Sequence, residues 1–496
     1  MEKPDLNRRE FVKLTAGAGA ALALPSIAFP GESKKMIGIQ VGAISFVDEG
    51  TEQVLDTLQQ RGNVNTLFLA VFTYGRGIAG RQISGQPLPD HGKQEYDLNF
   101  HGGNFATPHA EYYKNTVLKE TRAPDHGNLD ILAEVIPAAK KRNMKVICWL
   151  EDVFRSDLPN IQKVQERDLH GRNADTLCVN NPEYRNFLTG LVEDYARSYD
   201  IDGLMWGSER QGALCDSIGA THDTPPVDPG EVTCFCEFCK AKAKQRGINP
   251  DRAQEGFLEL EKYVRACRTG KRPVDGYYPQ FWRLLLRYPE LAAWEMLWTD
   301  SLRETYAAIY TTVKTAKPSI PVGWHIWHNN SFNPIYRAEQ DLHALSAHSD
   351  FIKVVMYNNC GGERMALYAD NIGSTIYGDL SKEQIIDTNY AFMNLKERSY
   401  AEIPKTGLSA DYVFRETKRA LAGSENTKTL IWPGIDIDIP TEKGNSKCTP
   451  ESVKAAVTAA FQAGAPGVLL SRKYSEMRLA NLSGAGEAIR ELKVST

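Results

Sequence analysis

Eight short apolar runs, each followed by a stretch of helical periodicity, constrain this chain more than any other feature. The runs are Met36–Gly42, Thr66–Phe72, Lys145–Leu150, the start of Ile201–Arg210, Pro321–Ile326, Phe351–Met356, Thr429–Trp432 and Gly467–Ser471. They are apolar almost throughout, as strands covered on both faces should be. Helical stretches follow at about Thr51–Arg61, Leu129–Asn143, Pro182–Tyr199, Glu290–Thr315, Tyr336–Ala347, Met365–Ile372, Pro450–Ala463 and Leu479–Leu492, with two more at Lys382–Ser399 and Asp411–Ala422. Strict alternation predicts a parallel sheet, and eight pairs predict an α/β fold of the (β/α)8 TIM-barrel type. Long insertions, at about 73–127 and 208–289, follow strands two and four. Both are βα loops, and a barrel builds its site from those loops.

The barrel is expected to occupy residues 31–496. Before it, Asn7-Arg8-Arg9-Glu10-Phe11-Val12-Lys13 leads into the weakly apolar Leu14–Ala28. This segment resembles the bacterial twin-arginine export signal, with cleavage expected near Ala28 after Ser26-Ile27. The resemblance implies passage through the twin-arginine machinery to the periplasm or the medium. No later apolar run is long enough to span a membrane, so no stable span is expected after processing. The 58 Lys and Arg nearly balance the 62 Asp and Glu. With no basic stretch, nucleic acid is not an expected partner.

Side chains at the strand carboxyl ends define the expected site. They are Tyr74 after strand two, Trp149, Glu151 and Asp152 at strand three, and Trp206, Glu209 and Arg210 at strand four. Strand five supplies Trp324, His325 and His328, and strand six Tyr357 and Asn358. Strand seven supplies Trp432, Asp436 and Asp438, and strand eight Arg472, Tyr474 and Glu476. Flat aromatic faces suit the C–H side of a sugar ring, and amides, imidazoles and charged groups suit its hydroxyls. The expected substrate is therefore a carbohydrate. Hydrolysis of a glycosidic bond needs one carboxyl to protonate the leaving oxygen and another to attack or to activate water. Glu209 is the expected proton donor, with Asp436 and then Asp438 as its partner and Glu151 with Asp152 in reserve. A metal-dependent sugar isomerase or lyase using His325, Glu209, Asp436 and Glu476, or a non-catalytic glycan-binding barrel, would use the same fold. Gly75-x-Gly77-x-x-Gly80 matches the dinucleotide fingerprint in form, but no helical pattern opens at it to hold a pyrophosphate.

Nine cysteines are present. Cys215, Cys234, Cys236 and Cys239 fall in the second insertion, in a spacing that suits a structural zinc, a disulfide or unligated thiols alike. No cofactor is expected for catalysis.

The barrel order, Gly203-Leu-Met-Trp-Gly-Ser-Glu209, Cys234-Phe-Cys-Glu-Phe-Cys239 and Leu470-Ser-Arg-Lys-Tyr-Ser-Glu-Met477 resemble exported glycoside-hydrolase-like barrels of bacteria, over roughly residues 36–496. The retaining barrel glycosidases with carboxylates on strands four and seven are more distant relatives. Their strand-four acid is a Glu preceded by Asn, and their strand-seven nucleophile is usually Glu. Here Ser208 precedes Glu209, and strand seven carries Asp.

Overall fold

The computed structural model describes residues 34–153 and 155–494. The twin-arginine stretch and the cleavage position lie outside the described residues.

Eight parallel strands close on themselves: β1 (Met36–Gly42), β2 (Thr66–Thr73), β3 (Lys145–Glu151), β4 (Gly203–Gly207), β5 (Val322–Ile326), β6 (Phe351–Val355), β7 (Leu430–Asp436) and β8 (Gly467–Ser471). Each pairs with its neighbours in sequence order, and β1 pairs with both β8 and β2. This is the (β/α)8 barrel that the alternation predicts. The principal helix after each strand is α1 (Thr51–Gly62), α2 (Ile131–Lys141), α3 (Pro182–Ser198), α4 (Glu290–Ala316), α5 (Pro334–Glu339), α6 (Asn358–Gly373), α7 (Pro450–Gln462) and α8 (Leu479–Glu491). Their starts follow ordinary capping chemistry. Asn181 accepts from the Glu183 amide before Pro182, and Thr449 and Ser452 form a capping box before Pro450.

Two elements depart from the sequence expectation. Strand seven does not stop at Trp432 but runs through Pro433 and Gly434 to Asp436. Gly434 faces the barrel interior, where an added Cβ would stand 2.7 Å from Lys353 Cε, so the glycine makes room for a lysine and does not end the strand. Helix α6 begins at Asn358, seven residues before the expected start at Met365. Its Gly361-Gly362 pair reads as a loop, yet Gly362 packs directly on the Ile403 carbonyl, where no larger residue fits.

The amino-terminal half of the barrel is plugged. Phe351 and Trp432 stack with ring centroids 4.2 Å apart, and Phe68 meets both edge-on at about 6 Å. Strand β2 is adjacent to neither β6 nor β7, so these rings meet through the interior. Chemistry is therefore confined to the carboxyl end. Between β2 and α2 the chain has little regular structure, with a four-residue helix at Arg76–Ala79, a two-residue strand at Gly103–Asn104 and a 3-10 turn at Ala110–Tyr113. Between β4 and α4 it forms helices Ala213–Ser217, Glu237–Gln245, Pro250–Arg268 and Tyr277–Arg287. Among the described residues, no helix is long and apolar enough to cross a membrane.

Candidate active site

Above the aromatic plug the interior turns polar. Lys353, from the middle of β6, is fully buried and donates to Gln40 Oε1 of β1 at 2.8 Å and to Tyr357 Oη at 2.9 Å. Burial pushes the Lys353 ammonium down to about 7, against the pull of Glu209 and Glu151.

Two carboxyl groups stand over it from neighbouring strands. Glu151 ends β3 opposite Gly207 of β4, and Glu209 follows two residues beyond. Glu151 Oε2 accepts from the Thr73 hydroxyl at 2.7 Å. Burial first, and then the charge on Glu209, push Glu151 up to about 8, with the Thr73 bond and Arg472 opposing. Glu209 Oε1 meets His325 Nε2 at 2.8 Å. Its side chain is half exposed, at 50%, at the carboxyl end of the barrel. Enclosure disfavours its charge. The His325 bond and the fields of His325, Arg364 and Lys353 outweigh that and hold Glu209 down to about 2. Burial also lowers His325, so its neutral ring donates from Nε2. One carboxyl thus keeps its proton at neutral pH and the other is ionised, the division of labour that acid–base catalysis needs.

The remaining expected site residues divide by where their side chains point. Trp206 and Trp324 face outward, not into the mouth. Both pack on Tyr306 of α4, Trp324 in a stack at 4.3 Å, because the inward positions of β4 and β5 are Gly207 and His325. Trp432 lies in the plug. Trp149 shares the inward face of β3 two residues below Glu151 and is buried. Asp152 is buried, accepting from Tyr184, Ser208 and Arg210, and Arg210 also pairs with Glu166. These two therefore brace the loops after β3 and β4.

Asp436 is buried and accepts from the Cys360 amide at 2.7 Å and the Ile439 amide at 3.1 Å, so it ties β7 to the first turn of α6. Asp438 pairs with Arg478 and accepts from Asn481, anchoring α8. Neither faces Glu209 as a free carboxylate, contrary to the expected pairing. Asn358 opens α6 and reaches the Leu408 carbonyl. Tyr474 donates to Glu49 and stacks on His91, away from the mouth. Arg472 bonds the Gly77 carbonyl and Glu476, and Lys473 also approaches Glu476 at 3.6 Å. Gly77, part of the fingerprint-like triplet, serves as a seat for the Arg472 guanidinium. Tyr74 lies against Phe72, with Arg155 over its ring. His328 bridges Tyr412 Oη and Arg364. Of the metal set His325, Glu209, Asp436 and Glu476, only the first two touch, and the other two are engaged elsewhere.

Sequence reasoning missed Lys353, Arg364, Thr73 and Gln40. A lysine and a glutamine inside otherwise apolar strands, Phe351–Val355 and Met36–Gly42, were the available signals for two of them.

The cysteine cluster is also rearranged. Cys178, Cys234, Cys236 and Cys239 place their sulfurs within 4.8 Å of one another. Cys178 is 3.5 Å from Cys236 and 3.6 Å from Cys239. Cys215 is not the fourth member. Its sulfur lies with Glu295 and Glu339 instead, because helix Ala213–Ser217 turns it toward α4. Sulfurs around a tetrahedral zinc, at about 2.3 Å from the metal, stand about 3.8 Å apart, against about 2.05 Å in a disulfide. The quartet matches the first spacing, and Asn180 Nδ2 donates to Cys239 Sγ at 3.3 Å, a contact of the kind that orients metal ligands.

No protein-family model matches the sequence, and no curated protein matches it. Solved structures do resemble it. A polyextremophilic β-galactosidase from the Antarctic haloarchaeon Halorubrum lacusprofundi is 13% identical, with a TM-score of 0.51, over 92% of this chain and 58% of that one. The PgaB (BpsB) glycoside hydrolase domain from Bordetella bronchiseptica is 12% identical, with a TM-score of 0.48, over 93% of this chain and 99% of that one. Alpha-L-fucosidase isoenzyme 2 from Paenibacillus thiaminolyticus is 12% identical, with a TM-score of 0.48, over 93% of this chain and 49% of that one. The chain spans about half the length of the fucosidase. The likeness to the β-galactosidase is one of fold, a (β/α)8 barrel.

Proposed function

We propose that the chain is a glycoside hydrolase acting on a poly- or oligosaccharide, with Glu151 as proton donor and Glu209 as its ionised partner. The observation that carries this reading is the placing of two carboxyl groups at the ends of adjacent strands in different surroundings, Glu151 buried against the Thr73 hydroxyl and favouring its proton, Glu209 held by His325 and favouring its charge. Glu151 gives its proton to the leaving oxygen, and Glu209 attacks the anomeric carbon or takes a proton from water. The roles are reversed from the sequence expectation, which made Glu209 the acid. His325 steadies the Glu209 charge, and Lys353, partly protonated at neutral pH, adds positive charge beneath it.

The test is a pH profile of kcat/KM on whichever aryl glycoside or polysaccharide a broad screen finds active. The competent form has Glu151 protonated and Glu209 ionised, so activity should persist from mildly acid to neutral pH and fall as pH rises through about 8. A basic limb near 5 would mean that neither carboxyl is held protonated at neutral pH and would contradict this reading.

Two further parts belong to this reading. The Cys178, Cys234, Cys236 and Cys239 quartet is assigned a structural zinc, which would clamp the Glu237–Gln245 helix to the segment before α3. The Arg8-Arg9 segment is assigned to twin-arginine export, delivering the protein to the periplasm or medium. Replacing both arginines with Lys should leave precursor in the cytoplasm, and normal processing of that variant would remove the assignment.

A further inference from the structure

We infer that Arg364 recognises an anionic substituent, a carboxylate or a sulfate ester, on the sugar held between Glu151 and Glu209. This rests on the glycosidase reading of that pair.

Arg364 lies in the second turn of α6. One guanidinium nitrogen donates to His328 Nδ1 at 3.1 Å, and its carbon stands 5.8 Å from the Tyr357 ring centroid. His328 is neutral, because burial lowers it well below its ordinary value, and its other nitrogen meets Tyr412 Oη. Arg364 makes no ion pair among the described residues. Three other arginines at this end of the barrel are paired: Arg155 with Asp157, Arg210 with Asp152 and Glu166, and Arg472 with Glu476. Yet Arg364 is enclosed by protein, within the electrostatic reach of Glu209, while still partly accessible to solvent. An enclosed guanidinium without a carboxylate is costly unless something anionic reaches it, and its planar fork matches a carboxylate or sulfate group.

The charge balance of the mouth leads to the same substrate. With Glu151 protonated, Glu209 is the ionised carboxylate at the strand ends, with Asp436 also within reach of Arg364, against the Arg364 guanidinium and a Lys353 that burial leaves only partly protonated at neutral pH. Glycosidic cleavage passes through an oxocarbenium-like state that gains positive charge. Around a neutral sugar that charge would grow beside the Arg364 guanidinium and a partly protonated Lys353. An anionic substituent seated on Arg364 offsets it.

The test is calorimetric binding of free sugars, which are not hydrolysed and sample both anomers. D-glucuronate is compared with D-glucose, D-galacturonate with D-galactose, and galactose 6-sulfate with D-galactose, on wild type, Arg364→Gln and Arg364→Lys. At least one acidic sugar should bind about tenfold or more tightly than its neutral counterpart, the scale of a charge-assisted pair. The preference should collapse in Arg364→Gln and survive in part in Arg364→Lys, which keeps charge without the fork. The carboxylate and sulfate arms separate the two sources of negative charge. Neutral sugars binding as well as acidic ones, no binding of any acidic sugar at millimolar concentration, or a preference that survives Arg364→Gln would overturn the inference. Should the glutamine variant not fold, the wild-type preference and its weakening in Arg364→Lys decide the matter. If acidic sugars bind selectively but no glycoside is ever cleaved, the hydrolase reading fails and the Arg364 assignment stands.

Discussion

Glu151 and Glu209 sit at the carboxyl ends of adjacent barrel strands, and the charge on Glu209 helps to keep the proton on Glu151. Two groups coupled in this way titrate as a pair, so replacing one should move the other.

Stability should report this coupling. Glu151 has a folded value of about 8, above the ordinary value of 4.5. Between those values the folded state holds a proton that the unfolded state has lost, so stability falls as pH rises from about 4.5 to about 8. Glu151→Gln removes that loss. The variant should match wild type in melting temperature near pH 4 and exceed it at pH 8 to 9. An equal or lower melting temperature at pH 8 would mean that Glu151 is not held protonated.

Asp436 is engaged by two backbone amides, that of Cys360 in the first turn of α6 and that of Ile439 just past the end of β7. Asn in its place keeps one acceptor and turns an amide group toward donors. Asp436→Asn should therefore lower stability by about 1–3 kcal/mol, the range for a buried group left unsatisfied. Its effect on turnover should be smaller than that of Glu151→Gln. Lost turnover with unchanged melting would return Asp436 to the chemistry.

The zinc assignment separates Cys178 from Cys215. Protein purified without chelator should carry about one zinc per chain, from the four-thiolate stoichiometry of such sites. Cys178→Ser should lose the metal and melt at lower temperature, whereas Cys215→Ser should keep the metal. Zinc retained by the first variant, or lost only from the second, would restore the grouping read from sequence. Strong chelation should reproduce the Cys178→Ser melting curve.

The barrel was legible in the sequence because buried parallel strands and amphipathic helices leave different periodicities, and Phe351–Val355 or Gly467–Ser471 fit one only. What periodicity cannot carry is side-chain direction at a strand end. Trp206 and Glu209 are three residues apart, yet the indole packs outward on Tyr306 and the carboxylate lines the mouth. The same ambiguity hid the roles of Asp436 and Asp438, which look like catalytic groups until their amide and Arg478 partners are placed. Cys178 escaped notice because its three partners lie more than fifty residues further along the chain, brought to it only by the fold of the second insertion. Lys353 was the readable clue that passed unread, a charge in the centre of a buried strand.

The most direct test of the assignment compares leaving groups. An aryl glycoside whose leaving group departs as a stable anion, such as 2,4-dinitrophenolate, needs no proton, whereas an alkyl or sugar leaving group does. If Glu151 is the proton donor, Glu151→Gln should cut kcat/KM for the poor-leaving-group substrate by about 10²–10⁴. It should leave kcat/KM for the dinitrophenyl glycoside, which reports the bond-breaking step, within about tenfold of wild type, while Glu209→Gln loses both. Equal losses of kcat/KM on the two substrates in Glu151→Gln, or the selective pattern appearing in Glu209→Gln instead, would contradict it.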